Sequence, residues 1–247
     1  MSDAQAPPGA LERNEAQVST GSTLTDIFFE PGKVFEALRA RPRFLVAGLI
    51  LLVLTCIMTL VLYMRVDMGQ VIREQMERSP NAAQQTEAQR EIGVKMGKII
   101  GAVVFPLSVP ITIAAGAALY LLGVLAFGGT INYKQSLAVW TYSSLPPAVL
   151  AAVIWIAVLF LKSPDTVDPQ RLLVTNPGAF MGEEASRILV AFLSQFDLLR
   201  FYGMFLAALG LRKVGKLSSG AAWTIVIGLW VLGAVFRVGS AALFGAR

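Results

Sequence analysis

The chain has 247 residues, 55% of them hydrophobic and 15% charged, with a mean hydropathy of +0.63. Soluble domains carry about a quarter of their residues charged, so this balance excludes a soluble globular domain and points to one polytopic membrane domain. There is no His and a single Cys, Cys56, inside an apolar run, which removes the commonest general acid/base and excludes an intramolecular disulfide and a Cys-cluster metal site. The net charge of +5 is what Arg and Lys beside membrane spans produce, and neither a nucleic-acid partner nor a cofactor is expected.

In chain order, residues 1–22 are rich in Ala, Pro, Gln, Ser and Gly. They hold too few large apolar residues to order themselves and are expected to be a disordered tail. The segment 23–43 changes character. Pro31 is placed to open a helix, and Val34, Phe35 and Leu38 fall on the face opposite Lys33, Glu36, Arg39 and Arg41. This predicts an amphipathic helix lying in the membrane interface, with a cap packed over the bundle as the alternative.

Residues 44–64 then run without a charge, Pro, Asn or Gln. At about 1.5 Å per residue that length covers the roughly 30 Å of a bilayer's hydrocarbon core. Residues 65–98 are the most charged stretch, yet their apolar residues recur at helical spacing. The reading is an arm in which the first span continues as a helix to about Arg78, turns at Ser79, Pro80 and Asn81, and returns as the helix that becomes span two. Pairing about Pro80 would set Met64 against Met96 and Arg73 against Glu87. Such an arm offers a surface for a protein partner, although a charged helical hairpin also serves as a plain solvated face.

Gly93, Gly97 and Gly101 are four apart where span two enters the membrane, a spacing that lets helix backbones approach closely, most simply against span one. Span two, about 99–127, carries Pro106 and Pro110, each of which bends a helix. After Gly128 and Gly129, a short helix over 133–144 is expected to end at Pro146 and Pro147, with span three over 143–161. An extramembrane loop from 162 to 187 precedes spans four and five, about 188–211 and 221–244. The fold class is therefore all-α, with five spans and an extramembrane helical arm. Basic residues near the two faces number eight and ten, so orientation rests on the densely basic flank before span one, which places the N-terminus in the cytoplasm.

Three stretches also carry a family resemblance: FFEPGKVFEAL (28–38) followed by Arg41 and Pro42, TYSSLP (141–146), and FDLLRFYGMFLAALGL (196–211). In this order along a five-span frame the chain resembles the Yip-domain proteins, the Ypt/Rab-interacting membrane family, and most of all its bacterial members. The resemblance covers the chain from about residue 25 onward. It implies a cytoplasmic N-terminus, residence in a bacterial inner membrane, and family-motif positions at Pro31, Tyr142 and Pro146. For eukaryotic relatives it implies binding of Rab-type GTPases, but their Asp-Leu-Tyr-Gly-Pro motif has no counterpart before span one here.

The function expected is a non-enzymatic membrane organiser or adaptor that binds protein partners. The alternative is a small transporter or channel using Asp197, Arg200 and Arg237, the charges well inside the last two spans. If spans four and five form a regular hairpin, Asp197 and Arg237 lie at one depth and pair, with Arg200 one turn from Asp197 as the competing partner. The other reading has span four beginning near Leu198, with Asp197 capping its N-terminus.

Overall fold

With no water to take up backbone polar groups, long apolar runs in a bilayer must close their hydrogen bonds within helices. The computed structural model describes residues 20–77, 82–161, 174–182 and 185–244, and among these residues there is no strand. The expected turn at Ser79 to Asn81 and most of the tail and of the third loop lie outside them. Helix α1 (Thr20–Phe29) begins within the stretch read as tail. Helix α2 (Pro31–Ala40) has Pro31 at its first turn, where the missing N–H has no intrahelical partner to lose.

Four helical rods are long and apolar enough to cross a membrane. The first is α3 (Leu45–Arg65), and the second is a 40-residue rod made of α5 (Glu87–Ile99), a π-turn (Ile100–Val104) and α6 (Phe105–Ala126). The other two are α7 (Tyr133–Leu161) and α10 (Ser219–Phe244). A fifth crossing exists if α8 (Arg187–Leu193) and α9 (Leu198–Gly215), bent by 44° at the break between them, count as one span.

Three expectations are corrected. Helix α3 does not run on into the arm. It stops at Arg65, Val66 turns to extended backbone, and the Asp67 carboxylate accepts the N–H groups of Gly69 and Gln70 to start α4 (Met68–Glu77). The arm's pairing is also shifted. Gly93 lies under Met76 and Gly97 under Ile72, where an added Cβ would come within 2.6 and 3.0 Å. That register places Arg73 opposite Met96 instead of Glu87. Helix α5 itself starts at Glu87 on a capping box, in which Thr86 accepts from the Gln89 N–H and the Gln89 side chain accepts from the Thr86 N–H.

Pro146 and Pro147, finally, do not end a helix. Helix α7 runs through both, because proline keeps a helical φ and a rod held on two sides tolerates two missing N–H groups. Across from them α9 presents Gly203, where a Cβ would stand 3.4 Å from Pro147 Cγ. In span two, the π-turn just before Pro106 supplies the looser turn that proline's ring requires.

The main core lies where α2 meets α7 and α9. Ile27, Phe35, Tyr142, Leu206 and Leu211 are all at 0% exposure. Gly210 makes this possible, since a Cβ there would be 2.8 Å from Val139 and 2.9 Å from Phe35. Polar ties hold the cap down. Lys213 pairs with Glu36, and Gln135 Nε2 donates to the Arg39 carbonyl. The Lys213 ammonium, by hydrogen bond and charge, holds the Glu36 carboxyl below its ordinary value. The amphipathic face of α2 is thus turned onto the bundle, the packing that the cap alternative describes.

A polar cavity at the break in α8 and α9

The run ILVAFLSQFDLL (188–199) looks like continuous span, but Ser194, Gln195 and Asp197 interrupt it. Asp197 has extended backbone (φ −98°, ψ 128°) and caps α9. Its Oδ1 accepts the N–H of Leu199 at 2.9 Å and of Arg200 at 3.0 Å. Its Oδ2 accepts from the Thr175 hydroxyl at 2.5 Å and from Asn176 Nδ2 at 3.5 Å. The Leu198 N–H donates to the Thr175 carbonyl, so the segment after residue 174 is laid along the start of α9. At membrane depth such irregular backbone persists only where protein satisfies it.

Gln195, 1% exposed, completes the joint. Its Nε2 donates to the Ala191 carbonyl, its Oε1 accepts Arg200 Nη1 at 2.7 Å, and its backbone carbonyl accepts Trp230 Nε1. Phe196, Phe201 and Trp230 pack edge to face around it. Sequence reasoning did not single out Thr175, Asn176 or Gln195. The detectable signal was the polar Ser194 and Gln195 inside an apolar run, just ahead of an N-cap residue type.

Arg237 reaches the same place from α10. A cavity of about 510 Å³ opens between α7, α9 and α10, with Asp197, Arg200, Arg237, Ser143, Ser144 and Asn176 in its wall. The structure therefore brings Asp197, Arg200 and Arg237 together, but not as the expected pair. Among the described residues Asp197 makes no ion pair with Arg237, because the carboxylate is already held by its cap and by Thr175. Asp197 lies 18 residues before Gly215, about 27 Å along the rod from the capped end. That distance is close to the roughly 30 Å of a hydrocarbon core, so the cavity lies toward the end of the bundle opposite the cap, where long arginine side chains can reach the interface.

The other candidate positions are structural in their surroundings. Tyr142 and Pro146 are buried within α7, and the Tyr142 hydroxyl is buried without a hydrogen-bond partner among the described residues. Gly97, expected to meet span one, meets Ile72 of α4. Gly101 is the glycine that meets span one, through the Tyr63 hydroxyl, which donates to the Lys98 carbonyl. No group of three His, Cys, Asp or Glu side chains placed to hold a metal occurs among the described residues.

Long apolar rods, a buried cap and a satisfied helix break define an all-α polytopic membrane protein. The Yip1 domain family model matches residues 25–240, and the chain belongs to that family. It is similar to the membrane protein YknW of Bacillus subtilis (strain 168), 24% identical over 228 residues that cover 92% of this chain and 94% of the relative. No solved structure matches.

Proposed function

We propose that this Yip1-family protein is a non-enzymatic membrane organiser that binds protein partners through the arm at 65–98. The observation that carries this reading is the arm's isolation. Helices α4 and α5 pack on each other, and Met68 and Val71 root the base against Trp155 and Leu159. Farther out, α5 leaves Ile92 63% and Met96 50% exposed, one turn apart on a helix otherwise rich in charge. An apolar stripe with a charged rim is the form of a protein-binding helix face. With a cytoplasmic N-terminus in the bacterial inner membrane, the single crossing by α3 puts this face outside.

The test is photo-crosslinking in cells from positions 92 and 96. The expected result is discrete protein adducts that disappear when the neighbouring stripe residue is changed to Glu. Adducts to lipid alone would overturn the reading. The cavity favours a second reading, a transporter, and solute flux into sealed liposomes holding the purified protein would establish it.

A further inference from the structure

We propose that the cavity between α7, α9 and α10 is a binding site for a phosphate-bearing anion held between Arg200 and Arg237. This goes beyond the arm reading and stands or falls independently of it. The charge balance comes first. Asp197, the one carboxylate in the wall among the described residues, is held by two backbone N–H groups, the Thr175 hydroxyl and the Asn176 amide. Arg200 gives Nη1 to the neutral oxygen of Gln195, which leaves its remaining N–H donors for the cavity. The Arg237 side chain makes no ion pair and no hydrogen bond among the described residues. Two cations thus line a space that holds one carboxylate among the described residues, ion-paired with neither, and an anion is what completes it.

Shape narrows the anion. Guanidinium forks match the paired oxygens of a phosphate, and the Ser144 hydroxyl adds a donor to the same wall. A monatomic anion would leave most of the roughly 510 Å³ unfilled. Setting narrows it further. Leu232, Val235 and Phe236, beside Arg237 on α10, are 63%, 65% and 78% exposed, as suits a surface against acyl chains, and Arg237 itself is exposed. The cavity therefore reaches the outside of the bundle where the head of a lipid can enter and its tails stay outside. The same chemistry would also take free phosphate from water, and the experiment separates the two.

The full-length protein is purified in a neutral detergent, and its unfolding midpoint is followed against phosphatidylglycerol, diacylglycerol with the same chains, and inorganic phosphate at constant ionic strength. A ligand that binds only the folded state raises the midpoint with concentration. Protection by phosphatidylglycerol and not by diacylglycerol identifies a lipid head group. Protection by inorganic phosphate without phosphatidylglycerol identifies a free anion. Protection by neither, or by diacylglycerol equally, overturns the proposal. Arg237→Gln is expected to weaken the protecting ligand about tenfold or more, as loss of a charged hydrogen-bond partner does, whereas Arg212→Gln at the capped end leaves it unchanged. Should Arg237→Gln fail to fold, Arg237→Lys keeps the charge and removes the fork. An affinity equal to the parent's in the folded Arg237 variant, or a loss equal to that of Arg212→Gln, would sink the site.

Discussion

Under the cap, α2, α7 and α9 meet so closely that Phe35, Tyr142, Leu206 and Leu211 have no exposed surface. Farther along α9, from Met204 to Asp197, the same α7 and α9 border, with α10, a cavity whose wall holds serines and arginines. A glycine and a helix break account for much of this difference. Gly210 brings α9 within reach of Val139 and Phe35. At the other end α9 still comes close to α7 at Gly203 and Pro147, and it is the helix break at Ser194 to Asp197 that diverts the chain beside the cavity. One pair of helices thus builds a sealed core at one end and borders a polar opening at the other, and the opening is where Asp197, Arg200 and Arg237 gather.

The contrast breaks most readily at its packed end. Phe35→Ala is expected to lower stability by about 3–5 kcal/mol, the range for deleting a fully buried aromatic ring, and thermal unfolding in detergent would read it. A loss under 1 kcal/mol would mean the cap does not seal the bundle. At the open end, Asp197→Ala should cost about 2–3 kcal/mol by removing an N-cap and its charge-assisted bonds, while Arg237→Ala should change stability by no more than about 0.5 kcal/mol. Because the two are not paired, the charge swap of Asp197→Arg with Arg237→Asp should not recover the folded yield. Recovery would restore the ion-pair reading.

Smaller effects sharpen the picture. Gly97→Leu should cost at least about 1 kcal/mol by overpacking, because an added Cβ alone would stand 3.0 Å from Ile72 Cδ1 and 3.2 Å from its Cγ2. Hydrogen exchange should show the loss as opening of α4 and α5 with the bundle unaffected. Tyr142→Phe should be neutral or slightly stabilising, since it removes a buried hydroxyl that has no partner among the described residues. A clear loss of stability there would reveal a bound group at that oxygen.

Much of the frame was legible in the sequence. Uninterrupted apolar runs state which segments lie in a membrane, and that demand alone imposes helix, since each run must satisfy its own backbone. Spans one and five were placed within two residues of α3 and α10, because their ends are marked by charges and by Ser218 and Ser219. Errors fell where a local signal competed with tertiary support. Two adjacent prolines read as a stop, yet α7 passes through them because neighbouring helices hold it on both sides. The pattern of the arm predicted a hairpin paired about Pro80, but the contacts of Gly93 with Met76 and of Gly97 with Ile72 set a different register, one decided by how the side chains pack.

The candidate site divides the same way. Counting residues along two antiparallel rods sets Asp197 and Arg237 at one level with Arg200 one turn away, and a reading of that kind needs the sequence alone. Which of them pair did not follow, because a carboxylate bonds whatever donors reach it first in space. Thr175 and Asn176, more than twenty residues upstream of Asp197, take that place. Only the folded chain brings a distant loop to the start of α9, engages the Asp197 carboxylate, and leaves two arginines facing a common cavity.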